Sequence, residues 1–183
     1  AVNEVFLTTL DLATLDGTNG FRLDGIDADD RSGDRVSSAG DVNGDGFDDL
    51  IIGAYRGDPG GDSAAGESYV VFGKSSGFTA AIDLSTLNGT DGFRLDGIDA
   101  GDLSGISVSS AGDVNGDGFD DLIIGAYEAD SSAGESYVVF GGVQFGLGAS
   151  GPAFAVDGGA GDDTLVGQAA GRSEEHTSEL QSH

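Results

Sequence analysis

Apolar and charged residues alternate in FRLDGI from Phe21, the period-two pattern of a half-buried strand. VSSAG from Val36 is short and built of small residues, which suits a crowded position. LIIGAY from Leu50 and YVVF from Tyr69 are continuous apolar runs, β-branched and too short for helices, a pattern that predicts strands covered on both faces. Gly, Asp and Ser fill the intervals, so tight turns are expected between the strands. All four runs then occur a second time. Residues 12–55 align with residues 84–127 with 7 differences in 44 positions. After Tyr55 the register slips by four residues, as RGDPGGDSAAG becomes EADSSAG, and it recovers in ESYVVFG at Glu67 and Glu135. Loops accept such length changes and strands do not.

Each repeat therefore reads as a small four-stranded sheet, one over residues 5–73 and one over 74–141, with a linker at 142–157. A lone sheet of this size cannot bury both faces. Radial stacking of sheets solves the problem, so the predicted fold is all-β with the repeats as blades of a β-propeller, and a β-sandwich is the alternative. After Phe140 no third LNGTDGFRLDG follows. Two blades fall short of the four or more that a propeller requires, so further blades are expected upstream or from another chain. The opening residue, Ala1 rather than Met, fits a piece of a longer protein.

Composition narrows the chemistry. The 183 residues include 33 acids and 7 bases, a formal charge of −26, which argues against nucleic acid or an anionic membrane as partner. An apolar content of 38% with ten Phe favours a folded chain over a disordered one. No run approaches the length of a membrane span. Cysteine is absent, and both histidines lie in the last twelve residues. Thiolate nucleophiles, imidazole-assisted serines and imidazole-zinc sites are therefore not expected in the repeats. A glycosidase-like carboxylate pair is the remaining catalytic option. Glu67 and Glu135 are the acids to consider for it, and they read better as strand-edge residues.

The acids concentrate in DVNGDGFDD, which begins at Asp41 and again at Asp113. Oxygen donors fall at alternate positions: Asp41, Asn43, Asp45, the backbone carbonyl of Phe47, and Asp49. The second set is Asp113, Asn115, Asp117, the carbonyl of Phe119, and Asp121. Odd spacing in a tight loop can turn successive oxygens towards one centre, and calcium takes six to eight such ligands. An EF-hand would need Glu at position 12 and a following helix, whereas Ile52 and Ile124 stand there inside apolar strands. The reading is a calcium loop feeding a strand. Asp48 and Asp120 are expected to point outward or to sit behind the ligands.

SAGDVNGDGFDDLIIGAY resembles the FG-GAP repeat of integrin alpha propellers and of many bacterial surface or secreted proteins, over residues 5 to 141. The family's FG and GAP appear here as SG at Ser32 and Ser104 and as GAY at Gly53 and Gly125. Neither departure touches the ligand positions. The resemblance implies an integrin alpha-like, calcium-binding module for adhesion to an extracellular protein or glycan. The alternative is a non-catalytic structural or accessory repeat of a secreted hydrolase or RTX toxin-like protein. GGAGDDTLV from Gly158 resembles the RTX nonapeptide, with Asp163 at its acid position. That resemblance implies a partial β-roll over residues 158–171 and bacterial export by a type I-like route to the exterior or cell surface. The first eleven of residues 172–183, RSEEHTSELQSH, back-translate to a common sequencing-library adapter, and the segment reads as translated adapter.

Overall fold

The computed structural model describes residues 9–145. The segments read as nonapeptide repeat (158–171) and as translated adapter (172–183) lie outside the described residues, as do Asp163 and residues 146–157 of the linker.

The described chain is all-β apart from single helical turns. Its strands are β1 (Arg22–Asp24), β2 (Arg35–Gly40), β3 (Asp49–Ala54), β4 (Glu67–Val71), β5 (Ala81–Asp83), β6 (Gly92–Asp96), β7 (Ser107–Gly112), β8 (Asp121–Ala126) and β9 (Glu135–Val139). The antiparallel orders are β2-β3-β4-β6 in a first sheet and β7-β8-β9 in a second, while β1 and β5 form a parallel pair. The apolar runs predicted as buried strands are β3, β4, β8 and β9. Asp11 and Asp83 each cap a 3-10 turn that follows, accepting from the amides of Ala13 at 3.0 Å and Ser85 at 2.9 Å.

The grouping of strands differs from the sequence expectation. FRLD of the second repeat pairs with the first repeat, Val70 opposite Phe93 and Ser68 opposite Leu95, so the first sheet straddles residues 73 and 74. FRLD of the first repeat pairs with β5 instead. Periodicity fixes the length of a repeat but not where along it one sheet gives way to the next. Gly92 assists this pairing, since a Cβ there would lie 2.0 Å from the Val70 carbonyl oxygen, an approach that only glycine permits. The second sheet has three strands among the described residues rather than four, since at the shift of 68 between Glu67 and Glu135 the positions equivalent to Phe93–Asp96 are 161–164, which lie outside them.

Strand alternation sorts the side chains into two faces. Ile51, Val70, Phe93 and Leu95 lie on one face of the first sheet and pack against Val108, Leu122 and Ile124, which lie on the opposite face of the second. Like does not meet like here. Unlike faces pack, so each sheet repeats its predecessor by rotation, as propeller blades do, and the contact is heterologous. A second cluster of Ile52, Tyr69, Val71 and Leu84 lies on the first sheet's other face, covered by Leu23, Ile82 and Leu87.

Identical residues consequently meet different surroundings. Ile51 is fully buried, whereas Ile123, its equivalent in β8, is 38% exposed. Ile51→Ala should destabilise the fold by about 3 kcal/mol, as buried Ile truncations do. Ile123→Ala should cost about 1 kcal/mol or less. Urea unfolding of the two variants against wild type measures the difference.

Candidate functional site

Each acid loop begins at a bulge. The β2–β3 register shifts between Ser38 and Gly40, and β7–β8 shifts identically between Ser110 and Gly112, which bends the chain into the loop. Gly44 (φ 76°) and Gly46 (φ 89°) then take left-handed conformations that only glycine adopts without strain.

The loop is held by its own carboxylates. Asp41 Oδ1 accepts from the amides of Gly44 (2.8 Å) and Asp45 (3.0 Å), and its Oδ2 accepts from Gly46 (2.9 Å). Asn43 Oδ1 accepts from the Asp45 amide, and Asp45 Oδ1 from the Phe47 amide, both at 2.9 Å. Asn43 Nδ2 donates to Asp45 Oδ2 at 3.3 Å. Asp113, Asn115 and Asp117 repeat these bonds with Gly116, Gly118 and Phe119. Residues at positions 1, 3 and 5 are thus brought together in each loop.

Asp49 and Asp121 are placed differently. Both are fully buried. Asp49 accepts from Val42 (3.0 Å) on one oxygen and from Gly73 (2.8 Å) on the other, and Asp121 does the same with Val114 (2.8 Å) and Gly141 (2.9 Å). Each joins the loop start, the first residue of a strand and the end of the following strand. Burial pushes the Asp49 carboxyl up to about 6, against the lowering effect of the amides of Gly73 and Val42, and Asp45 and Asp41 add repulsion. Desolvation thus outweighs hydrogen bonding at this group. Phe47 and Phe119 sit at position 7 of their loops, where their amides donate to Asp45 Oδ1 and Asp117 Oδ1.

The donor set is all oxygen and rich in carboxylate, which fits a hard cation. Among the described residues no three acidic side chains converge as they stand into a metal-holding group. Asp41, Asn43, Asp45, the Phe47 carbonyl and Asp49 are the groups that could hold an ion, with Asp113, Asn115, Asp117, the Phe119 carbonyl and Asp121 their equivalents in the second loop.

Asp120 has a role that its place in the sequence does not announce. Its Oδ2 accepts from the Asp41 amide at 2.9 Å, 79 positions away, and its own amide donates to the Asp41 carbonyl at 3.1 Å. Gly142 donates to the Val42 carbonyl at 2.8 Å. The second sheet therefore grips the first loop by its backbone. Gly40 and Gly44 permit the approach: a Cβ at Gly40 would lie 2.2 Å from the Asp120 carboxylate, and one at Gly44 would lie 2.3 Å from the Phe119 ring. The doubled acid in FDD is the available signal, because its first member falls off the alternating donor positions.

Glu67 and Glu135 both bond to a tyrosine two residues on, Tyr69 and Tyr137 respectively. Burial and the neighbouring carboxylate raise both phenols above their usual range. Glu67 is buried and also faces Arg94 at 3.3 Å. Glu135 is exposed. Each glutamate is the first residue of its strand, β4 or β9, and bonds along that strand.

Stacked antiparallel sheets with an acid loop at the entrance of a buried strand define a class of repeat, and similarity to known proteins agrees. Residues 33–71 and 104–139 match the FG-GAP repeat. The chain is 30% identical over 102 residues to integrin alpha-4 of Xenopus laevis, covering 56% of this chain and 9% of that protein. It is 36% identical over 107 residues to integrin alpha-PS2 of Drosophila melanogaster, covering 55% of this chain and 7% of that protein. Two stretches of the chain are thus similar to the FG-GAP repeat, and the chain is similar to integrin alpha subunits, spanning about a tenth or less of their length. No helix among the described residues is long and apolar enough to cross a membrane.

Asp120→Ala should lower stability by roughly 1.5–3 kcal/mol, the range for hydrogen bonds to a charged group. Asp48→Ala, at the equivalent position of the first repeat, should change it little. Thermal unfolding of the pair at low concentration checks the contrast.

Proposed function

We propose that the chain is a calcium-binding, integrin alpha-like propeller module of a bacterial secreted or cell-surface protein, serving adhesion to an extracellular protein or glycan. One observation carries the reading: a nine-residue loop with oxygen donors at positions 1, 3, 5, 7 and 9 occurs twice, each time at the entrance of a core strand. Calcium is the cation that suits such a set, since magnesium keeps its waters and wants six strict positions. The loop carboxylates repel one another, and a bound cation would relieve that repulsion. Further blades, upstream in a longer protein or from another chain, would complete the propeller. Bacterial origin and export rest on the resemblance of GGAGDDTLV to the RTX nonapeptide, and an extracellular setting is in keeping with the likeness to integrin alpha subunits.

Calcium should stabilise the fold by about 2.7 kcal/mol per site at a hundredfold excess over Kd, which amounts to a rise in Tm of several degrees for a domain of this size. Asp45→Ala combined with Asp117→Ala should remove most of the rise. Calorimetry with calcium and with a chelator measures it, and coincident melting curves would sink the calcium reading. A protein and glycan array probed in millimolar calcium tests adhesion separately.

A further inference from the structure

The contact between the two sheets is built from two unlike surfaces, and among the described residues a second set of both is left uncovered. In the internal contact, the loop residue Val42 is fully buried beside Leu122, itself 1% exposed. Their equivalents lie on opposite outer sides of the molecule: Val114 is 58% exposed and Leu50 is 38% exposed. Val138 and Phe140 are exposed where Val70 and Phe72 are buried. The glycines tell the same story, since Gly40 and Gly44 are crowded by Asp120 and Phe119 while Gly112 and Gly116 have nothing within 4 Å of a Cβ.

Backbone edges match as well. Among the described residues strand β9 lacks the neighbour that β6 gives to β4. Strand β1 with the preceding Phe21 repeats the Phe-Arg-Leu-Asp of β6, and among the described residues it is bonded on one edge only. Arg22 donates its amide to Ala80 on the β5 side, so the amides of Phe21 and Leu23 point to the other edge, as alternation requires. Leu23 already packs on the first sheet as Leu95 packs against the second. Glu135 bonds Tyr137 but has no arginine beside it among the described residues, whereas Glu67 faces Arg94 on β6, the residue equivalent to Arg22.

We propose that a second copy of this chain docks head to tail on the first. Its β9 takes β1 as a fourth strand, with Val138 opposite Phe21 and Ser136 opposite Leu23. Its Val114 seats against Leu50, Asp48 grips the Asp113 amide, and Arg22 meets Glu135. The two outer surfaces are halves of the interface already formed inside the chain, and a heterologous contact of this kind propagates into a ring or an open chain. The charge of −26 per copy opposes the association, and salt screens that repulsion.

The experiment is sedimentation of the full chain across a concentration series, at physiological salt with millimolar calcium. Wild type should gain mass with concentration. Val114→Asp spoils the loop surface and Leu50→Asp the receiving surface, so each variant alone should self-associate at least about tenfold more weakly, a change of about 1.4 kcal/mol. Mixed together, they should form a 1:1 dimer that grows no further, because each retains the surface that the other lacks. Circular dichroism verifies that each variant is folded, and Val138→Asp replaces Val114→Asp if the latter is not. A wild type that is monomeric throughout, variants that associate as wild type does, or a mixture that stays monomeric would each overturn the proposal.

Discussion

The fold hangs on a buried carboxylate at the first residue of a core strand. Asp49 binds the Val42 amide with one oxygen and the Gly73 amide with the other, and so fixes three segments with one side chain. An isolated ionised carboxylate would be costly at such depth. Two amide donors offset much of that cost, and removing either would leave a charge poorly satisfied. The same clamp positions Val42, which is the side chain that enters the next sheet. Loop geometry, the end of β4 and the contact between sheets therefore share one anchor, and Asp121 repeats it in the second sheet.

Near-identical repeats make the role of context visible. Ile51 and Ile123, Val42 and Val114, and Leu122 and Leu50 are the same residues on the same strands or loops. One member of each pair lies in the core while the other faces outward. Propensity and pattern are equal within a pair, so the difference comes from the neighbouring sheet alone. A repeat of this kind has its backbone specified locally and its burial specified by stacking, as quasi-one-dimensional architectures require.

Much of this arrangement is legible in the order of residues. The apolar runs at Leu50, Tyr69, Leu122 and Tyr137 fall in strands, the loops sit where the acids cluster, and the length change after Tyr55 falls between β3 and β4. What stays illegible has physical causes. The assignment of FRLD to a neighbour depends on which β4-like edge lies near it in space, and a repeat carries no mark of that phase. Asp49 shares the spacing of a ligand with Asp41 and Asp45, yet its burial and its two amides give it a structural duty that spacing cannot express. Asp120 acts on a residue 79 positions away, beyond the reach of any local pattern.

The loop and the sheet contact are not independent. Asp41 supplies three hydrogen-bond acceptances from its side chain to its own loop, while its backbone amide and carbonyl are both held by Asp120 of the next sheet. A cation drawn to the first loop would compete with those amides for the Asp41 and Asp45 oxygens and would offset the repulsion between them and Asp120. The residue that would ligate the ion is thus the one gripped across the contact, so an ion at one loop would act on the packing of the neighbouring sheet. Linkage then runs both ways: whatever favours the sheet contact also favours the bound ion. Calcium in this arrangement would set the strength of the contact between blades as well as the stability of each loop.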